Sequence, residues 1–315
     1  MKSVFYLITI FLMTFSFPKI LFSQSGILHH SGEAYYCMLT KDSLYNAAEY
    51  KKAITFHLSE MEQKNDLTGQ NLYIIAKCYA MLEMPDSAFY YLNNYIDNSN
   101  KDYRYVFIDE DLEILRKDKK EWFRISNKIE DIFINNLDAT ANKEYAYELF
   151  QLGIEDFLYR HTDLICIRHE KPKPIQIRKK QEKIRKDFDK LVRKYGFPSP
   201  STVGIEATWF AFDIMYPVNE EKLYLMVKKA FNEGDYLPVH YAWITDRWLM
   251  QNEKLQLFGT QFSAELNSEG KRATILMPVE DFKNLNKRRA EIGLQTIEKD
   301  AKIINGTIPQ EYYVE

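Results

Sequence analysis

Between Tyr45 and Ile96, apolar and small residues recur at intervals of three and four, the spacing of helices that bury one face. Leu72, Ala76 and Tyr79 form one stripe, and Ala88, Leu92 and Tyr95 form a second, with Pro85-Asp86-Ser87 placed to open the second helix. Alanine in both stripes lets two backbones approach, so the pattern predicts a helix hairpin. From Asp109 to Trp122 the spacing continues through Leu112 and Leu115, and Asp109 or Asp111 suits the cap of that segment. Another amphipathic run covers Tyr145 to Cys166 and stops at Lys171-Pro-Lys-Pro174, because proline removes an amide donor and disfavours helix in the residue before it.

Past this break, Ile177, Ile184, Phe188, Leu191 and Tyr195 share one face of a helix whose other faces are crowded with Lys and Arg. Gly196 suits its left-handed cap. Ser201 or Thr202 is placed to cap a helix that buries Val203, Ala207, Phe210 and Ala211 and ends at Pro217. Helices are further expected from about Asn219 to Gly234 and from Pro238 to Met250. Gln256 to Gln261 reads as an ordered loop, with Gly259 free to take positive φ. Ala273 to Met277 reads as a short strand, and Glu280 to Ile292 as a last helix capped by Gly293. The expected fold class is therefore all-α, or predominantly so: a short helical-hairpin array over 24–135, then a compact helical domain over 145–305 with room for one short strand or hairpin, and a tail over 306–315.

The amino terminus bears on compartment. Met1-Lys2 is positively charged, an apolar run follows from Val4 to Phe15, and Phe22-Ser23-Gln24 offers a small residue for cleavage. The run is shorter than the roughly 20 residues a spanning helix needs. The expectation is a signal peptide over 1–23 cut near Ser23, and hence an exported protein, periplasmic or secreted. Three cysteines, Cys37, Cys78 and Cys166, permit one bridge at most, and the reading here is no structural disulfide, with Cys78 acting as a small buried hydrophobe. A formal net charge of −3 gives the chain no overall attraction to polyanions, so nucleic acid is not expected as a partner. The basic helix could meet anionic head groups, but a solvated helix paired with acidic neighbours is the simpler reading.

Two resemblances sharpen this outline. Leu72, Ile75, Ala76, Tyr79, Ala88, Leu92 and Tyr95 fall where a tetratricopeptide repeat places its large, small and aromatic positions, with Tyr95 departing at a usually small one. Ala53, with Tyr50 ahead of it, resembles the second half of an earlier repeat. Arrays of this kind imply a face that binds a protein partner. Farther on come Asp156-x-x-x-Arg160, Tyr195-Gly-Phe-Pro198, Thr245-Asp-Arg247, Gln256-x-Phe-Gly-Thr-Gln261, Pro278-Val-Glu-Asp281 and Arg288-Arg289-x-x-x-Gly293-Leu294. That ordered series resembles an uncharacterised bacterial domain of unknown function over roughly 145–300. The resemblance implies a mostly helical domain and names no activity.

Chemistry is sparsely signalled. The chain has no His-Glu-x-x-His, no Cys-x-x-Cys, no phosphate loop and no Gly-x-Ser-x-Gly elbow. On one helix His161 and His169 would stand about 12 Å apart along the axis, too far to share a metal, so no metal and no cofactor are expected. The candidate ligand-binding residues are Asp156, Arg160, Glu206, Asp246, Arg247, Gln256, Gln261 and Arg289, polar groups set in apolar, helix-like sequence. Asp246 and Arg247 are adjacent, so on a helix they point about 100° apart and each needs another partner. The functional expectation is a binding or scaffolding protein, with a protein partner on the repeat face and a small polar or anionic ligand in a polar pocket of the second domain. The alternative is a hydrolase-like enzyme acting on an anionic envelope substrate, with Asp246 or Glu206 as acid or base.

Overall fold

The structure, a computed structural model, describes residues 43–64, 69–98, 103–160, 174–218, 220–266, 272–304 and 306–313. The expected leader, Cys37, His161, Cys166 and His169, and most of the Lys171-Pro-Lys-Pro174 break, lie outside the described residues. The chain is predominantly α-helical, with one small three-stranded sheet among the described residues. It divides into two compact units: among the described residues the first holds the chain up to Asn136 together with Arg160 and Pro174, and the second holds Leu137–Tyr159 and the chain from Ile175 onward.

In the first unit, helices Gln70–Met81 and Pro85–Asn98 pair closely. Tyr79 stacks on Tyr91 at 5.3 Å and Tyr73 meets Tyr95 at 4.9 Å, so residues advancing along one helix meet residues receding along the other, as an antiparallel hairpin requires. Ala76, Ala88 and Leu92 are wholly buried between them, the close approach that small residues allow. The helix Tyr50–Lys64 packs against Gln70–Met81. The segment expected to run from Asp109 to Trp122 is instead a 3₁₀ turn, Glu110–Leu112, a short helix, Glu113–Lys117, and a separate helix, Lys119–Asn136. Asp109 caps the turn by accepting the Asp111 N–H, and Asp118 caps the last helix by accepting from Lys120 and Glu121.

In the second unit, Lys143–Arg160 and Pro174–Tyr195 meet at their ends: Tyr145 stacks on Tyr195 at 4.6 Å and donates its hydroxyl to the Gly196 carbonyl. Basic side chains of Pro174–Tyr195 reach carboxylates, Lys180 to Glu155, Arg185 to Asp189 and Glu220, and Lys194 to Glu144 and Glu148. The helix expected after Ser201 is two helices, Pro200–Val203 and Ile205–Met215. Gly204 parts them with φ +82° and ψ 159°, a region nearly closed to other residues. Neither Ser201 nor Thr202 caps by itself. Asp235, carried past the Gly234 end of the next helix, accepts the Ser201 N–H and the hydroxyls of Ser199 and Ser201.

Helices Glu221–Asn232 and Pro238–Gln251 form a second hairpin, marked by parallel ring pairs Phe231–Tyr241 at 4.0 Å and Tyr224–Trp248 at 4.2 Å. The single expected strand is a hairpin: β1, Phe262–Leu266, pairs antiparallel with β2, Arg272–Leu276, and β3, Gly306–Thr307, joins β2 in parallel. The final helix expected from Glu280 begins as a 3₁₀ turn, Phe282–Asn284, and continues as Leu285–Glu291 before Gly293 takes φ +78°. A further helix, Ile297–Ile303, follows where the sequence reading expected none, and β3 lies in the segment it read as a tail.

Candidate functional site

The second unit gathers its buried polar groups around residues 256–261. The helix Pro238–Gln251 buries every residue from Val239 to Asp246, and Asp246 has 0% exposure. Its Oδ1 accepts the N–H groups of Leu257 at 2.7 Å and Phe258 at 2.9 Å, while Oδ2 accepts the Thr260 N–H and hydroxyl, each at 2.9 Å. The Gln256 amide takes the next position, accepting the Gln261 N–H at 2.9 Å and donating to the carbonyls of Gln261 and Met277. On the opposite side Arg288 donates to the carbonyls of Leu257 and Asp281, and Arg289 donates to those of Phe258 and Gln295 and to the Asp300 carboxylate. Side chains here stand where water would otherwise stand, and only that makes a buried irregular loop affordable in hydrogen bonds. Gly259 turns the loop at φ +67°, with Leu285 and Ile297 packed against it.

Electrostatics follow from burial. Desolvation pushes the Asp246 carboxyl up from the ordinary carboxylate range, against the hydrogen bonds from Phe258, Thr260 and Leu257, which favour its charged form. Tyr216 is likewise raised by burial, opposed by the positive charge of Arg247. Arg247 lies with its guanidinium 5.0 Å over the Tyr216 ring, and the Tyr216 hydroxyl donates to Gln261 Oε1 at 2.7 Å.

The structure thus brings five of the candidate residues together. Asp246, Gln256, Gln261 and Arg289 hold one loop, all at 5% exposure or less, and Arg247 joins them through Tyr216. Their hydrogen bonds go to the protein itself. Asp156 is buried on Lys143–Arg160, and Glu206 sits in the first turn of Ile205–Met215, where a helix dipole favours negative charge. The Arg160 side chain lies outside what is described. Sequence reasoning missed Tyr216, Thr260, Gln295 and Asp300. Thr260 was findable as the hydroxyl between Gly259 and Gln261, whereas Asp300 is brought in only by the packing of Ile297–Ile303. His240, 1% exposed, lies flat on Phe212 and edge-on to Trp209, each at 4.2 Å, a place in an aromatic core.

The first unit holds a charged cluster that its sequence stripe did not announce. Lys77, 3% exposed, reaches Asp109 at 3.0 Å and Asp111 at 2.9 Å, while Tyr73 donates to Asp109 at 2.9 Å and Tyr45 to Asp111. Burial alone would lower the lysine pKa, but the two carboxylates raise it above its ordinary value. A lysine inside Ile74-Ile75-Ala76-Lys77-Cys78-Tyr79 was the available signal. Among the described residues no three His, Cys, Asp or Glu side chains are grouped to hold a metal, and no helix is long and apolar enough to cross a membrane.

The same unit carries a shallow, open groove of about 880 Å³ along the outer face of Lys119–Asn136, where Phe123 is 64% exposed among side chains of both charges. Ile125, Ile129 and Phe133 fill the core from the opposite face of that helix. The chain matches no family model, no curated protein and no solved structure.

Proposed function

We propose that this is an exported binding or scaffolding protein in which the first helical unit carries the interaction face and the second is a rigid partner domain. The observation that carries the reading is the shallow, open groove on Lys119–Asn136, an accessible surface on which the aromatic Phe123 stands exposed. The hydrolase alternative draws less support from the geometry. An acid or base must reach a substrate, and the Asp246 oxygens already accept from Leu257, Phe258 and Thr260 at 0% exposure. Arg289 and Gln256 are likewise engaged with backbone carbonyls rather than aimed at solvent. The leader-like pattern of residues 1–23 supports export, and sequencing the amino terminus of the protein recovered from the cell envelope tests it.

Site-specific photocrosslinking in the native envelope tests the binding reading. A photoreactive residue at Asn127, on the groove, should capture a discrete partner, whereas one at Leu225, exposed on the second unit, should not. Capture from Leu225 alone, or a hydrolytic turnover abolished by a folded Asp246 variant, would overturn it.

A further inference from the structure

We infer that the edge of the Arg247 guanidinium binds a small carboxylate that carries a hydroxyl or amino donor on its adjacent carbon, and that Gln251 receives the donor. The site belongs to the second unit and goes beyond the binding reading above, which rests on the groove of the first.

Trp243, Arg247 and Gln251 follow one another at four-residue steps on Pro238–Gln251 and so share one face of that helix. The Tyr216 ring closes one side of this face, 5.6 Å from the Trp243 ring and 5.0 Å beneath the Arg247 guanidinium. Arg247 and Gln251 are half-buried, so solvent reaches both. A ring under the guanidinium satisfies its flat face and leaves its N–H edge to find an acceptor elsewhere. Among the described residues Arg247 forms no ion pair and its buried Nε has no hydrogen-bond partner, whereas Arg185, Arg288 and Arg289 of the same unit each meet a carboxylate. Asp246, its neighbour in sequence, is turned to Leu257, Phe258 and Thr260. Burial is the main cause that raises the Tyr216 pKa, and of the two charges acting on its hydroxyl the Arg247 cation outweighs the Asp246 anion. The field on this face is therefore positive.

Gln251 supplies the second observation. Its Oε1 is also buried without a partner, one helical turn beyond Arg247. The two atoms are of opposite kind, a donor and an acceptor, and they do not bond each other. A buried polar group left unmatched destabilises the fold, so folding is not what the pair serves. A carboxylate answers the first atom, because Nε–H and a neighbouring N–H form a planar fork that two carboxylate oxygens accept together. The amide oxygen then needs a donor. One turn is about 6 Å along the axis, and a carboxylate with a hydroxyl or amine on its adjacent carbon spans that step with a hydrogen bond of about 2.9 Å at each end. A carboxylate alone would leave Gln251 unmatched, and an uncharged amide would leave Arg247 without a counter-charge.

Four small molecules of nearly one shape separate these requirements in a titration of the full chain followed by tryptophan fluorescence, to which Trp243 contributes from beside the site. L-Lactate and L-alanine carry both groups, propionate lacks the donor, and lactamide lacks the charge; inorganic phosphate is the control for an anion of any kind. L-Lactate or L-alanine should saturate, with propionate about fivefold weaker and lactamide about tenfold weaker. Arg247→Lys keeps the charge but loses the fork, and should weaken binding about tenfold. Gln251→Leu should abolish the preference over propionate while leaving propionate itself unaffected, a readout that a merely structural role would not move. Thermal melts of both variants check the fold, and if Arg247→Lys melts early the Gln251→Leu preference still decides the case. Saturation by none of these molecules, binding of phosphate or propionate as tight as that of lactate and alanine, or unchanged affinity in a folded Arg247→Lys would overturn the inference. Capture of a partner from Asn127 does not involve Arg247, so the failure of one reading leaves the other standing.

Discussion

Replacing Asp246 with asparagine separates an internal brace from a ligand site. The carboxylate receives the N–H groups of Leu257 and Phe258 on one oxygen and the N–H and hydroxyl of Thr260 on the other, all within 2.9 Å. Asparagine keeps the shape and one acceptor, but its NH₂ would leave at least one N–H unaccepted, that of Leu257 or that of Thr260 according to the amide's orientation. Each buried group left unsatisfied costs about 1–3 kcal/mol, and hydrogen bonds to a charged group are worth about 1.5–3 kcal/mol. The expected loss is about 1.5–3 kcal/mol, a substantial share of the roughly 5–15 kcal/mol by which such domains are stable. Urea unfolding followed by tryptophan fluorescence measures it, because Trp209, Trp243 and Trp248 all lie in the affected unit. A loss under about 1 kcal/mol, the net worth of one ordinary hydrogen bond, would refute the brace. A simultaneous loss of a small-molecule response would then return Asp246 to the list of ligand contacts.

Lys77→Met should destabilise the first unit by about 3–5 kcal/mol, since it leaves Asp109 and Asp111 buried without their cation; chemical denaturation that shows no change would remove the cluster from the core. Because the folded-state pKa of Lys77 lies above its ordinary value, its contribution is present below about pH 10.4 and fades as pH rises through the folded value. An alkaline unfolding series should therefore be steeper for the wild type than for Lys77→Met. Gly153→Ala would set a methyl against the Phe210 ring and 2.8 Å from its Cβ, an overpacking cost of about 1–3 kcal/mol that a thermal melt should register as a loss of stability. Arg289→Lys keeps the charge but loses the fork that reaches Gln295, Phe258 and Asp300, and a thermal scan should register a loss of about 1.5–3 kcal/mol.

Much of the helical plan was legible because it is written in local periodicity. Leu72 and Ala76 of one stripe and Ala88, Leu92 and Tyr95 of its counterpart are buried as their spacing required, with Tyr79 half-buried at the edge, and Gly196, Gly234, Gly259 and Gly293 take the positive φ that left-handed turns demand. Where one residue's conformation interrupted a good pattern, the pattern misled. Gly204 splits a helix that its apolar spacing would have run through, and its cap comes from Asp235, which only the packed chain brings near.

The polar residues show the limit most clearly. Sequence marked Asp246, Gln256, Gln261 and Arg289 as groups that need partners, because burying a charge or an amide without one is expensive. It could not say whether those partners were a ligand or the chain's own backbone. Only the tertiary structure brought the N–H groups of Leu257, Phe258 and Thr260 to the carboxylate, and the Phe258 carbonyl to the guanidinium. The same holds for Lys77, whose carboxylates stand more than thirty residues along the chain. Periodicity is a property of neighbours in sequence, so the chain alone determined which faces are buried. Partners for buried charge come from wherever packing places them, and that was decided in three dimensions.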